Sequence, residues 1–404
     1  MINGCDAVDR GQMHMREAGR RWMPLGLALV CLLSMKWVEA HRWEAQEPAD
    51  VSPLAAGQSK ADGAGRGLRF RLVERSHRHI PSPPGAPSAH ANAIAALPNG
   101  DLLAYWWAGQ RESAPDVRIF MSRFSAGQWS APAAVVERQA LGGELGHGVR
   151  RLGNPVPWVA HDGRVHLFVV ATGLGGWAAA RIVQLTSVDQ GRRFAAIRVL
   201  PLSPLFNTSV LVRNNPVATV DGGWLLPAYF ELGNKFGMLV SFDRDGEPRW
   251  LSRIGSSTAA LQPAIVSTSP TQMVAVMRSH GTPHRLQKAT SGDGGRNWQD
   301  QPESELLNLG TAAAAVRLTG GAFVLAHNDM PSSAGTARQR LRLSTSIDAR
   351  RWVRLLDVRS GVPDDEFSYP SMLQVGGQLH LTYTDQREAI AHAVFDILPI
   401  PDLP

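Results

Sequence analysis

Apolar positions along this chain come in short runs, and nearly every run follows a polar turn. PNGDLLAYWW (Pro98–Trp107), HDGRVHLFVV (His161–Val170), VDGGWLLPAYFE (Val220–Glu231), SPTQMVAVMR (Ser269–Arg278), TGGAFVLAHND (Thr319–Asp329) and GGQLHLTYTD (Gly376–Asp385) share this pattern. Each has a Gly, Pro or Asp turn and continues into Leu, β-branched and aromatic residues, which predicts a hairpin strand. Counted from Gly100, Gly163, Gly222, Thr271, Gly320 and Gly377, the steps run from 49 to 63 residues. A period of that length, held six times, predicts a repeat architecture.

A second pattern runs in phase with the first. SGDGGRNW (Ser291–Trp298) is a glycine-rich turn that ends on a large ring. Ser187–Phe194 keeps its spacing with Phe in place of Trp, and Ser346–Trp352 is one residue shorter. FSAGQW (Phe124–Trp129) and DRDGEPRW (Asp243–Trp250) are looser copies. The ring positions 129, 194, 250, 298 and 352 step by 48 to 65 residues. The aspartate can satisfy turn amides while the ring packs between sheets. Helical periodicity is nearly absent, and 39 Gly and 27 Pro punctuate the chain. The fold expected is all-β, a six-bladed β-propeller with four strands per blade. Two β-sandwich domains are the runner-up, but no break in composition divides the repeats.

Composition adds little to this. The chain of 404 residues is 44% hydrophobic and 19% charged, ordinary for a globular protein. Its net charge of +6 comes without basic blocks interleaved with aromatics, so no nucleic-acid partner is expected. Arg16, Arg20 and Arg21 precede the apolar run Trp22–Met35, and Val38-Glu39-Ala40 follows. That order predicts an export signal over residues 1–40 and a periplasmic or extracellular protein, with an uncleaved N-terminal anchor as the alternative. Both cysteines, Cys5 and Cys31, fall in this segment, so the rest of the chain has no thiol chemistry. Residues 41–80 read as a flexible leader that ends in a first strand, 81–397 as the propeller and 398–404 as a tail. No H-E-x-x-H or similar cluster appears, and no metal or cofactor is expected.

The turn at Ser291–Trp298 resembles the Asp-box of the sialidase (neuraminidase) superfamily, and further segments extend the resemblance. LLAYWWAGQRESAPDVRI (Leu102–Ile119) is similar to the first-blade segment that carries an Arg and the acid/base Asp. QPAIVSTSPTQMVAVMR (Gln262–Arg278) and RQRLRLSTSID (Arg338–Asp348) resemble segments that supply carboxylate-binding arginines. EFSYPSMLQVGGQLHLTYTDQREAIAH (Glu366–His392) looks like the last blade, which holds a tyrosine nucleophile. The resemblance covers about 310 residues, from roughly His90 to Asp396.

It implies an exo-glycosidase that releases a terminal acidic sugar from a glycan. Asp116 would be the acid/base and Tyr369 the nucleophile. Arg278 and Arg338 would bind the sugar carboxylate, with Arg340 as the alternative to Arg338, and Arg111 would line the pocket. Forked guanidinium groups suit a carboxylate. A tyrosine avoids setting a carboxylate nucleophile against that same charge. The chain departs from the pattern twice. His90 stands near the place of a third arginine, and Gln262 stands where a glutamate would activate the tyrosine. Glu231, Glu366 or Glu112 could take over that task. Asn328 is one of several loop-edge Asn residues able to read sugar hydroxyls. Two other readings remain open: a His90–Tyr369 pair eliminating across a uronic acid, and a glycan-binding propeller without catalysis.

Overall fold

The computed structural model describes residues 24–34, 50–51, 70–202, 207–330 and 337–400. Six antiparallel sheets follow one another along the chain as the blades of a six-bladed β-propeller. Their inner strands are Ser88–Ala96, Arg151–Val159, the broken pair Val210–Val212 and Val217–Ala218, Ala260–Ser267, Ala314–Arg317 and Phe367–Val375. The ring closes through the N-terminal strand Phe70–His79, which pairs with the last strand, Ala389–Pro399, as the outer edge of blade six. Both ends of the propeller segment thus lie in one sheet, so the ring is closed by β-pairing.

The two sequence patterns explain this build. Each turn-and-strand run becomes the second strand of a blade; Leu102–Gly109 and Val165–Thr172 are buried at every position. Burial on both faces follows from neighbouring blades packing against each side. The Ser-x-Asp turns join third to fourth strands. In blade four, Asp293 accepts the Ser291 hydroxyl at 2.8 Å and the amides of Arg296 and Asn297 at 3.1 and 2.9 Å. Asp189 and Asp348 make equivalent bonds in blades two and five. Gly295, at φ +89°, lies so close to Leu239 and Met273 that an added Cβ would come within 2.5 Å of each. Trp298 then packs on the core between blades three and four.

Along the axis, Ile94, Trp158, Val217, Ile265, Val316 and Met372 surround a cavity of only about 120 Å³. At the other end of the inner strands the ladder breaks. Bulges fall between His90 and Ala93, Gly153 and Val156, Leu261 and Ala264, and Ser368 and Ser371. Ala91, Asn154, Gln262 and Tyr369 sit in them with φ between 31° and 54°. Pro155, Pro263 and Pro370 follow three of these positions, where an absent N–H costs no ladder bond. Each bulge re-aims side chains at the mouth of the ring.

Two features lie before the propeller. Residues 24–34 form a helix with exposed apolar side chains; among the described residues no helix is long and apolar enough to cross a membrane. Asp50 and Val51 dock at the opposite end of the ring from the bulges. Val51 is buried against blades three and four, and its amide meets the Pro270 carbonyl at 2.5 Å. The rest of the leader, the Val38–Ala40 motif and residues 401–404 lie outside the described residues.

Candidate functional site

The bulged ends converge on Tyr369. Asn92 fixes its backbone, donating to the Tyr369 carbonyl at 3.0 Å. The half-buried ring meets His90 at 4.2 Å between centroids, and the guanidinium groups of Arg213 and Arg338 lie 4.9 and 5.6 Å from it. An aromatic ring between two cations is a favourable arrangement, and negative charge forming on its oxygen would gain from both.

Arg213 was not legible as a site residue. It occupies the break in the inner strand of blade three, is 2% exposed, and donates to the carbonyls of Asn92 at 3.0 Å and Pro370 at 2.8 Å. It thereby ties blade three to blades one and six beneath the tyrosine. Burial lowers its pKa to about 10, so it remains a cation at neutral pH.

A second cluster holds the arginines in place. Glu366 accepts from Arg338 at 2.6 Å, from the Ser368 hydroxyl at 2.7 Å and from Arg387 at 3.1 Å. Burial alone would raise the Glu366 pKa; Arg338, Ser368 and Arg387 outweigh it and hold the carboxyl below its usual range. Arg387, from the last hairpin, also pairs with Glu112 at 2.7 Å and lies 3.4 Å from His90 Nε2. No motif marked Arg387, because a hairpin arginine reads as a solvated charge.

Burial, then Arg387, Arg338 and Arg213, hold the His90 imidazole well below its usual pKa. It is neutral at pH 7. With Nε2 facing an arginine donor, the ring proton belongs on Nδ1, which is buried and finds no partner.

The third cluster lies across the mouth. Gln262, 3% exposed, accepts from Arg278 at 3.3 Å and approaches the Tyr229 hydroxyl at 3.4 Å. Asn154 reaches the same hydroxyl at 3.4 Å, and Asn214 holds the Gln262 carbonyl at 3.0 Å. Burial, then the charges of Glu231 and Tyr369, raise the Tyr229 pKa. Of the three glutamates expected to serve the tyrosine, Glu112 and Glu366 are salt-bridged. Glu231 has no such cation among the described residues.

The remaining expected residues are placed differently. Asp116 is exposed on the rim, where its carboxylate accepts the Gln110 amide at 2.9 Å; Arg111 is exposed on the same loop. Arg340 is directed toward Asp357, 4.0 Å away, while Arg338 faces the tyrosine. Asn328 is 1% exposed and donates to the carbonyls of Arg340 and Phe367, both at 2.8 Å. It braces backbone and is not open to a sugar. Among the described residues no cluster of three His, Cys, Asp or Glu could hold a metal ion.

Comparisons agree with this frame. A protein of unknown function from Dyadobacter fermentans superimposes with a TM-score of 0.65 at 14% identity, over 81% of this chain and 99% of that one. The Hadza microbial sialidase Hz136 gives 0.63 at 14% identity, over 78% and 66%. The Trypanosoma rangeli sialidase gives 0.60 at 14% identity, over 80% and 59%. This chain therefore spans less than two thirds of the length of each of those two sialidases. At such identities the likeness is one of fold. No curated protein sequence matches the chain. Residues 100–381 match the BNR repeat-like domain, so the chain belongs to that family of sialidase-like β-propellers.

Proposed function

We propose that this protein is a retaining exo-glycosidase that removes a terminal carboxylated sugar, sialic acid or a close analogue, from glycans. The observation that carries this is Tyr369, held at φ 53° by Asn92 and flanked by Arg213 and Arg338. Arg278 and Arg338 take the sugar carboxylate, and the Tyr369 oxygen attacks the anomeric carbon. As the bond to the leaving oxygen breaks, Asp116 delivers a proton from the rim. Water, deprotonated by Asp116, then releases the sugar from the tyrosine.

The proton of Tyr369 passes by way of Tyr229 to Glu231, the carboxylate left without a salt bridge. Tyr229 accepts from Gln262 and Asn154, which leaves its own hydroxyl proton to donate. Elimination across a uronic acid fits less well. It needs a free acceptor nitrogen, whereas His90 Nε2 lies against Arg387 and Nδ1 is sealed. The apolar stretch near the N-terminus supports export to a compartment where glycans are met.

The test is turnover of a fluorogenic α-sialoside panel by the full chain. Tyr369→Phe should lower kcat at least about 10³-fold, and Arg278→Gln should act chiefly on KM. Turnover retained in Tyr369→Phe would reject the mechanism. No turnover by the unmodified protein would reject the substrate class.

A further inference from the structure

A second cleft opens on the opposite end of the ring, between blades four and five. It measures about 570 Å³, within the roughly 300–1,000 Å³ range of small-molecule sites. Inner strands begin at the Tyr369 end, and the Ser-x-Asp turns lie where third strands finish, so the two sites are on different faces. The turns of blades four and five both wall this cleft, with Thr290, Gln299, Arg317, Phe323 and Ile347.

Two properties of the lining indicate what it takes. Arg317 is half-buried, and burial lowers its pKa. Among the described residues it has no carboxylate partner. It reaches the Ser267 carbonyl only at 3.4 Å and lies 5.8 Å from the Phe323 ring. Among the other partly buried arginines of blade five, Arg338, Arg340 and Arg342 each face an acid, and Arg359 is held by the Val358 carbonyl at 2.6 Å and His77 at 2.9 Å. A partly desolvated cation without a counter-charge gains from a bound anion.

The rest of the wall is mixed. Ile347 is 77% exposed beside Gln299, also exposed, and Thr290, whose hydroxyl proton is free because its oxygen accepts from Gln301. Apolar surface among hydroxyl and amide groups suits a pyranose, which has C–H faces and a hydroxyl edge. The two aspartates of the cleft are occupied by their own turn amides.

We propose that this cleft is a second, non-catalytic carbohydrate site for a carboxylated sugar of the uronate type. The carboxylate meets Arg317 and the hydroxyls meet Thr290 and Gln299. A glycan substrate could then be anchored on one face while an end is processed on the other.

The experiment is saturation-transfer NMR of D-glucuronate with the full chain, and D-glucose as the neutral control. Binding should be equal in the unmodified protein and in Arg278→Gln. Loss of one charge-assisted contact predicts about tenfold weaker binding in Arg317→Gln and for D-glucose. Gln299→Trp, at an exposed position, should abolish binding by filling the cleft while leaving the unfolding midpoint unchanged. Binding unchanged in Gln299→Trp, lost in Arg278→Gln, or absent from the unmodified protein would each overturn the proposal. Because glucuronate binding needs no turnover, the result is independent of the hydrolase reading.

Discussion

Arg338 donates to Glu366 at 2.6 Å, and that one carboxylate also takes Arg387 on its other oxygen. A single glutamate thus aims two guanidinium groups at the mouth of the ring. Glu366→Gln keeps the shape and removes the charge. With two partly buried cations left under-compensated, we predict a stability loss of about 2–4 kcal/mol, measured by urea denaturation. KM should rise more than kcat falls, because the arginines bind substrate and do not react.

The proton route makes Glu231 its terminus. Glu231→Gln should lower kcat about 10²–10⁴-fold with little change in KM. Gln262 already touches Tyr229, so adding Gln262→Glu to that variant restores an acceptor and should recover at least a tenth of the lost rate. Equal losses in single and double variants would place the route elsewhere.

Buried neutral histidines set the acid limit of stability. Chiefly through burial, His166, His327 and His380 are held down to about 4 and His392 to about 3. The unfolded chain protonates first, near pH 6.5. Stability present above that value is therefore lost as pH falls toward 4, by up to about 1.4 kcal/mol per pH unit for each group. His392 accepts from the Trp129 indole of blade one at 3.1 Å and pairs with His380 of its own blade six at 3.0 Å. His392→Gln should lower stability at pH 7 yet flatten the fall between pH 6.5 and 5, read from denaturation midpoints.

Val51 is fully buried at a distance in sequence from the propeller it touches. Val51→Ala should cost about 2 kcal/mol, and Val51→Asp more. A change within error would mean the contact adds nothing to the fold.

The blades were readable because a propeller repeats one local problem: turn, strand, turn, ring. Ser291, Asp293 and Trp298 solve it within eight residues, so spacing alone exposes them. The site was readable only where a motif reached it. Tyr369, Arg278 and Gln262 lie on strands with that signal, and the structure brings them to one mouth. Arg213 and Arg387 come from a strand break and a hairpin, and only ring closure carries them to Tyr369. Asn328 looked like a loop-edge reader of sugars because sequence does not show which side chains the closed ring seals. Arg338 and Arg340 are two residues apart, a spacing that a strand would put on one face, but Arg338 lies in the turn before the strand Arg340–Ser346, which sequence does not show.

The most direct test of the account asks whether Tyr369 forms a bond to sugar. The full chain is incubated with a mechanism-based fluorinated sialosyl fluoride, quenched with acid, digested and examined by mass spectrometry. The account predicts one sugar adduct on the peptide that contains Tyr369, and none in Tyr369→Phe. Hydrolysis of a sialoside without any adduct on that tyrosine, or undiminished in Tyr369→Phe, would contradict it.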